Sequence, residues 1–286
     1  MPMRSLLFAP ANHARRAEKA LSLPADAVIL DLEDAVAVSE KEAARADAVA
    51  ACALPRRGRL FIRVNALSTP WALADLLAVV RPGLDGIVLP KVEGAEEMAT
   101  AEWLLAALER DAGLPAGRLE LLPIIETARG MQALDAIARA ARRARRVAFG
   151  AADFNMDMGL SWTREEAELA PWRAQCVLAS RAAGLEAPVD TVWTALKDAE
   201  GFAASLERAR VLGFGGKLCI HPDQVEPANR AFSPSDAQLE HARRVVAAFA
   251  EAEARGLASI SLDGAFVDYP VAEAARRVLA QAGPTG

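Results

Sequence analysis

Eight short apolar runs, each followed by a segment at helical spacing, constrain this chain more than any other feature. The runs are SLLFAP (5–10), AVILDLE (27–33), LFIRVN (60–65), GIVLPKV (86–92), LELLPIIE (119–126), RVAFGA (146–151), PVDTVW (188–193) and KLCIHP (217–222). They are rich in Val, Ile and Leu, as strands buried on both faces are. Between them lie stretches such as HARRAEKALSL, SEKEAARADAVAACAL and AEEMATAEWLLAALERD, and Pro171 is placed to open a helix at its first turn. Eight strand–helix units match a (β/α)8 barrel, and they fill roughly the first 230 residues, slightly short of the usual ~250. A doubly wound open sheet is the competing architecture, but no GxGxxG turn follows the first run. The expected fold class is therefore α/β, a (β/α)8 TIM barrel over residues 1–232.

Residues 233–286 read differently. SPSDAQLEHARRVVAAFAEAEARG is a capped helix ending at Gly256, ASISLDGAFVDYP alternates around a hairpin turn at Asp263–Gly264, and VAEAARRVLAQAG is a last helix. Coming after the eighth strand, this helical and hairpin module is expected outside the barrel, over its mouth as a lid, or on a neighbouring subunit.

Composition narrows the function classes. The net charge of −5 and pI near 5.4 leave no electrostatic footprint for nucleic acid. Cys52, Cys176 and Cys219 are odd in number and widely spaced, which favours unpaired thiols in a reducing compartment over disulfides or zinc. The N-terminal stretch lacks a signal-peptide core, and no run of about 20 apolar residues spans a membrane. The expectation is a soluble cytoplasmic protein.

In a parallel barrel the carboxyl ends of the strands carry the chemistry. Read along the chain, those ends bear Asn12, then Asp31, Glu33 and Asp34, then Arg63 and Asn65, then Lys91 and Glu93, then Glu126, Asp153, Asp190 and His221. Each alone has a bland reading as an ion pair or a helix cap. Glu126 and Asp153 together suit a hard cation such as Mg²⁺, which keeps its other positions for water and substrate oxygens. Arg63 suits a planar carboxylate, gripped through two parallel N–H bonds. Metal and guanidinium side by side fit a 2-oxo or 2-hydroxy acid, and carbon–carbon bond chemistry beside a polarised carbonyl. HExxH and GxSxG are absent, which removes the main support for zinc peptidases and serine hydrolases. His221 is equally readable as a ligand contact or a structural group. His13 and His241 are expected on surface helices. The basic run ARRARR (141–146) reads most simply as a solvated helix end.

Taken together, RSLLFAPAN (4–12), ILDLEDAV (29–36), IRVN (62–65), VLPKVE (88–93), PIIETARG (123–130), AFGAADF (148–154), LGFGGKLCIHPDQ (212–224), FSPS (232–235) and DGAFVDYP (263–270) resemble, in order, the citrate lyase β-subunit-like family, which includes relatives of malyl-CoA and citramalyl-CoA lyases. The resemblance implies a (β/α)8 barrel, a homo-oligomer that is often a trimer, bound Mg²⁺, and acyl-CoA thioester and 2-oxo acid partners. It implies Glu126 and Asp153 as metal ligands, with Glu126 also meeting substrate, and Arg63 as the carboxylate anchor. It places Phe8, Arg15, Lys19, Ile220 and His221 at the CoA part, and Glu33 and Asp34 behind the metal-bound water. Asp268 matches the family's acid/base, which reaches a neighbouring subunit's barrel. Phe8 stands where some relatives carry Tyr, and Ala11 replaces a common Gly.

The implied activity is Mg²⁺-dependent cleavage of a malyl-CoA or citramalyl-CoA type 3-hydroxyacyl-CoA to a 2-oxo acid and acetyl-CoA. A CoA-independent 4-hydroxy-2-oxo acid aldolase, an acyl-CoA thioesterase and a non-catalytic assembly subunit remain as alternatives.

Overall fold

Runs too apolar to face water on either side form strands covered on both faces. The structure, a computed structural model, describes residues 3–140 and 142–281. Eight parallel strands close in chain order: β1 (Ser5–Pro10), β2 (Ala27–Asp31), β3 (Arg59–Arg63), β4 (Gly86–Leu89), β5 (Glu120–Ile125), β6 (Ala148–Phe149), β7 (Val189–Asp190) and β8 (Gly216–Cys219), with β8 pairing back to β1. This is the expected (β/α)8 barrel with its surrounding helices. Contacts divide the chain into one unit reaching Asn229 and a second from Arg230 onward.

The two-residue period of a strand sorts side chains into an inner and an outer set. Leu6, Ala27, Ile29, Phe61, Val88, Leu122, Ile124, Ala148, Val189 and Leu218 form one buried cluster inside the barrel. Charged residues of the same parity lie at both ends of this apolar stack. At the amino end, Glu120 of β5 takes Arg59 at 2.5 Å and Arg146 at 3.0 Å. At the carboxyl end, the same parity that places Phe61 and Ile124 inside carries Arg63 and Glu126 to the mouth.

Two expectations are corrected here. Of the basic run, residues 142–146 lie outside any helix, and only Arg142 and Arg145 are exposed. Arg146 is buried, bridging Glu120 and Glu186, and Arg143 pairs with the buried Glu109 at 2.7 Å. Buried carboxylates on β5 and on the preceding helix Ala95–Asp111 draw these guanidinium groups inward. Asp190 does not join the ring at the mouth. It follows the inward Val189 and so faces the helix layer. There it accepts from Arg173 at 2.8 and 2.9 Å and from Lys217 at 2.6 Å. Arg173 also reaches Glu166, and Lys217 reaches Ser205 at 2.9 Å. Burial raises the Asp190 carboxyl, but the two cations outweigh it and hold the group below its ordinary value.

The cysteines are buried and free, and burial pushes the Cys219 thiol up to about 12. Among the described residues, no helix is long and apolar enough to cross a membrane.

The second unit has a core of its own. Helix Asp236–Ala254 is capped by Ser235 and Gln238, which satisfy each other's backbone in a reciprocal box. Strands β9 (Ser259–Leu262) and β10 (Ala265–Asp268) pair antiparallel around Asp263 and Gly264, both at positive φ. That is the two-residue turn whose twist matches a hairpin. With helix Tyr269–Gln281 they enclose Ala242, Val245, Phe249, Val267, Ala272 and Ala275.

The Asp190 network yields a stability test. Asp190→Ala leaves Arg173 and Lys217 buried without their shared carboxylate, and the expected loss is about 3–5 kcal/mol in urea unfolding.

Candidate active site

The mouth is built around Arg63, the last residue of β3. Its Nε and Nη2 donate to the two oxygens of Asp31 on the neighbouring strand, at 2.7 and 2.5 Å. The strands are in register here, with Asp31 opposite Arg63, so the bidentate pair follows from strand pairing. Asp31 also accepts from the amides of Glu33 and Ala35, which fixes the loop beyond β2. Burial works against the charge on Asp31, but Arg63 and these amides prevail and its carboxyl lies below its ordinary value. The ring of Phe8 lies against the guanidinium, 4.9 Å from ring centre to Cζ, and Glu33 Oε2 approaches Nη1 to 2.9 Å.

Glu126 follows β5 and is 3% exposed, which leaves its charge little water. Burial, opposed by Arg63 and reinforced by Glu33 and Asp153, pushes its carboxyl up to about 8. Oε1 accepts from the Lys91 amide at 2.8 Å. Oε2 lies where Gly150 leaves space: a Cβ on that residue would stand 2.5 Å from it. Beyond Glu126, Thr127 caps a short helix by accepting from Gly130.

Asp153 is a correction of detail. The sixth expected strand end is already helical: β6 stops at Phe149, and Asp153 lies in the first turn of helix Ala151–Met158. A helix N-terminus favours a carboxylate there. Two tethers hold that helix. The buried Thr191 accepts from the Ala151 amide at 2.8 Å, and Asp157 accepts from the Ala128 amide at 2.7 Å, next to the cap that follows Glu126.

Lys91 closes the group. Its ammonium reaches Glu33 at 2.6 Å, Asp34 at 3.4 Å and Asp153 at 4.0 Å. Burial lowers its basicity, but Glu33, Glu126 and Asp34 outweigh that and raise it above its ordinary value. Glu33 itself is 6% exposed, and burial raises its carboxyl despite Arg63 and Lys91. Its loop is held from beneath by the buried Lys41, which donates to the carbonyls of Leu32 and Glu33 at 2.9 and 2.8 Å.

The structure thus brings together Arg63, Glu126, Asp153, Glu33 and Asp34, as the strand-end rule anticipates. Other strand-end residues serve structure. Asn65 is buried and ties Leu32 to Asp75, Asn12 bonds Glu40, and Glu93 pairs with Arg129. Arg15 and Lys19 are exposed on helix Ala14–Ser22 after β1, while Ile220 and His221 follow β8. Because β8 pairs with β1, these four lie beyond adjacent strands. His221 accepts from the Asp223 amide at 3.2 Å, capping the turn Pro222–Gln224. Asp268 belongs to the second unit. It ends β10 and accepts from the Val271 amide at 3.2 Å, at the start of the last helix.

Gly150, Thr191, Asp157 and Lys41 act on the site without being singled out by the sequence reading. Only Gly150 leaves a readable signal, as a glycine between a strand run and an acidic helix start.

Among the described residues, no three His, Cys, Asp or Glu side chains group around one metal position. A two-carboxylate donor set is nonetheless what Mg²⁺ takes when water and substrate oxygens complete its shell. The reluctance of the buried Glu126 to ionise alone fits a hard divalent cation beside it.

A family model for HpcH/HpaI aldolase/citrate lyase matches residues 4–222. The chain belongs to this family. It is 37% identical over 278 residues to the citrate lyase subunit beta of Leuconostoc mesenteroides subsp. cremoris, covering 96% of this chain and 92% of that one. It is 40% identical over 284 residues to a (3S)-malyl-CoA thioesterase of Cereibacter sphaeroides, covering 98% and 95%. Among solved structures, CitE from Mycobacterium tuberculosis in complex with magnesium, acetoacetate and coenzyme A superposes with a TM-score of 0.78 at 31% identity, over 99% of this chain and 98% of that one. The citrate lyase beta subunit complexed with oxaloacetate and magnesium from the same organism gives 0.68 at 30%, over 82% and 98%.

Glu126 sets a pH dependence in the metal-free protein. Its folded value near 8 lies above the ordinary 4.5, so the folded state binds the extra proton between these values. The stability this contributes is full below pH 4.5 and is lost as pH rises through 8. Urea titrations in EDTA at pH 5 and pH 8.5 are expected to differ by a few kcal/mol more in the wild type than in Glu126→Gln, on the order expected for such a shift.

Proposed function

We propose that the protein is a Mg²⁺-dependent carbon–carbon lyase that cleaves a malyl-CoA or citramalyl-CoA type thioester to a 2-oxo acid and acetyl-CoA. The observation that carries this reading is the buried Glu126 beside Asp153 and Arg63 at one barrel mouth. Relatives solved with magnesium, coenzyme A, acetoacetate and oxaloacetate support it. Glu126 and Asp153 would hold the Mg²⁺, which supplies Lewis acidity at the oxygens of the acid end.

Arg63 is the carboxylate anchor in this reading. Asp31 and Glu33 fix its guanidinium, whose five donors exceed the three these contacts take, and the rest would meet the substrate carboxylate. Phe8 supports the guanidinium plane. A carboxylate of the mouth takes the hydroxyl proton, the carbon–carbon electron pair passes into the thioester enolate, and Asp268 returns a proton to that carbon. In condensation the same acid/base runs in reverse. Asp268 is proposed to act in the barrel of a neighbouring copy within a homo-oligomer, a trimer by resemblance. Phe8, Arg15, Lys19, Ile220 and His221 are proposed to flank the CoA part.

One observation favours a second outcome at the same site. The 40%-identical relative is a (3S)-malyl-CoA thioesterase, so hydrolysis to malate and free CoA is the alternative.

Incubation with (S)-citramalyl-CoA and (S)-malyl-CoA, with and without Mg²⁺, separates the two. The lyase reading expects equal amounts of oxo acid and acetyl-CoA, none in EDTA, and a loss of about a hundredfold or more in Asp268→Asn. Free CoA with malate establishes the thioesterase. No turnover of either thioester by protein that has taken up Mg²⁺ rejects both.

A further inference from the structure

Lys91 follows Pro90 with φ of 51°, in the left-handed region. A residue with a Cβ is strained there, whereas glycine is not. A turn that needed only this backbone would be met by glycine. Lysine at the position points to a requirement for its side chain. That side chain and its own amide reach four carboxylates: Glu126 through the N–H, and Glu33, Asp34 and Asp153 through the ammonium. The remaining carboxylate of the mouth, Asp31, is matched by Arg63.

We infer that the Lys91 ammonium is a resident cation that opposes a divalent metal arriving alone and favours one arriving with an anionic substrate. The inference rests on the metal reading of Glu126 and Asp153. A divalent cation on Asp153 shares that carboxylate with the ammonium, and like charges drawn to one partly buried carboxylate repel. An oxo acid brings negative charge that Arg63 and Lys91 both attract. Metal and oxo acid therefore reinforce each other's binding, and Lys91 supplies part of that coupling.

Lys91→Gly isolates the ammonium, because glycine retains the amide bond to Glu126 and relieves the backbone. Calorimetry compares Mg²⁺ titrated alone, then pyruvate titrated into Mg²⁺-saturated protein. The variant is expected to bind Mg²⁺ about tenfold tighter and pyruvate about tenfold weaker, with a Tm no lower than the wild type. Lys91→Met is expected to repeat both shifts, and Lys91→Arg to abolish them. Unchanged affinities, a shift in only one of the two, or weakening of both overturns the inference. A wild type that takes up no Mg²⁺ brings down the metal reading and this inference with it. A wild type that binds Mg²⁺ beside variants that bind it no tighter overturns this inference alone.

Discussion

The Arg63–Asp31 pair is the interaction on which the mouth of the barrel depends. Two charges sit directly above an apolar stack, each largely withdrawn from water, with side chains 11% and 2% exposed. Burying either alone would be costly, and burying both is tolerable only because the bidentate geometry is nearly ideal. Asp31 then spends its other lone pairs on the amides of Glu33 and Ala35. The loop bearing Glu33 and Asp34 is thereby set by the same carboxylate that sets Arg63. Lys41 below and Lys91 above complete its support.

The second constraint is spatial. Glu126 is confined between the Lys91 amide and the gap at Gly150, so its carboxylate has one place to go. Asp153 is placed independently, by a helix tethered at Thr191 and Asp157. Asp157 is the link between the two, because the amide it receives lies two residues past Glu126. The spacing of the two carboxylates is thus set by bonds from backbone amides to the side chains of Glu126, Thr191 and Asp157 on separate elements. Such rigid support is what a site needs if its binding energy is to act on a reacting group.

Much of this was legible from residue order. Unbroken apolar runs gave eight strands, and the strand-end rule gathered Arg63, Glu126, Asp153, Glu33 and Asp34. The misreadings share one cause. Asp190 and the arginines at 143 and 146 look like site or surface groups because a one-dimensional reading does not show which way a short strand faces. β7 is only two residues long, so its inward and outward positions cannot be told apart by alternation. Arg146 is drawn inside by Glu120, which lies 26 positions earlier. Asp153 was placed at a strand end because the helix begins within the apolar run, with Gly150 at its N-cap and no capping side chain to mark it.

The two-residue period of β3 has an evolutionary consequence. Arg59, Phe61 and Arg63 share the inner face, and Leu60 and Ile62 the outer one. Removing one residue from this strand would exchange the two sets, turning both guanidinium groups toward the helices and two aliphatic side chains toward the barrel axis. Substitutions can be tried there one at a time, but a change of length cannot. Descent within this architecture is therefore free to lengthen or trim its loops, while the register of its strands is inherited whole.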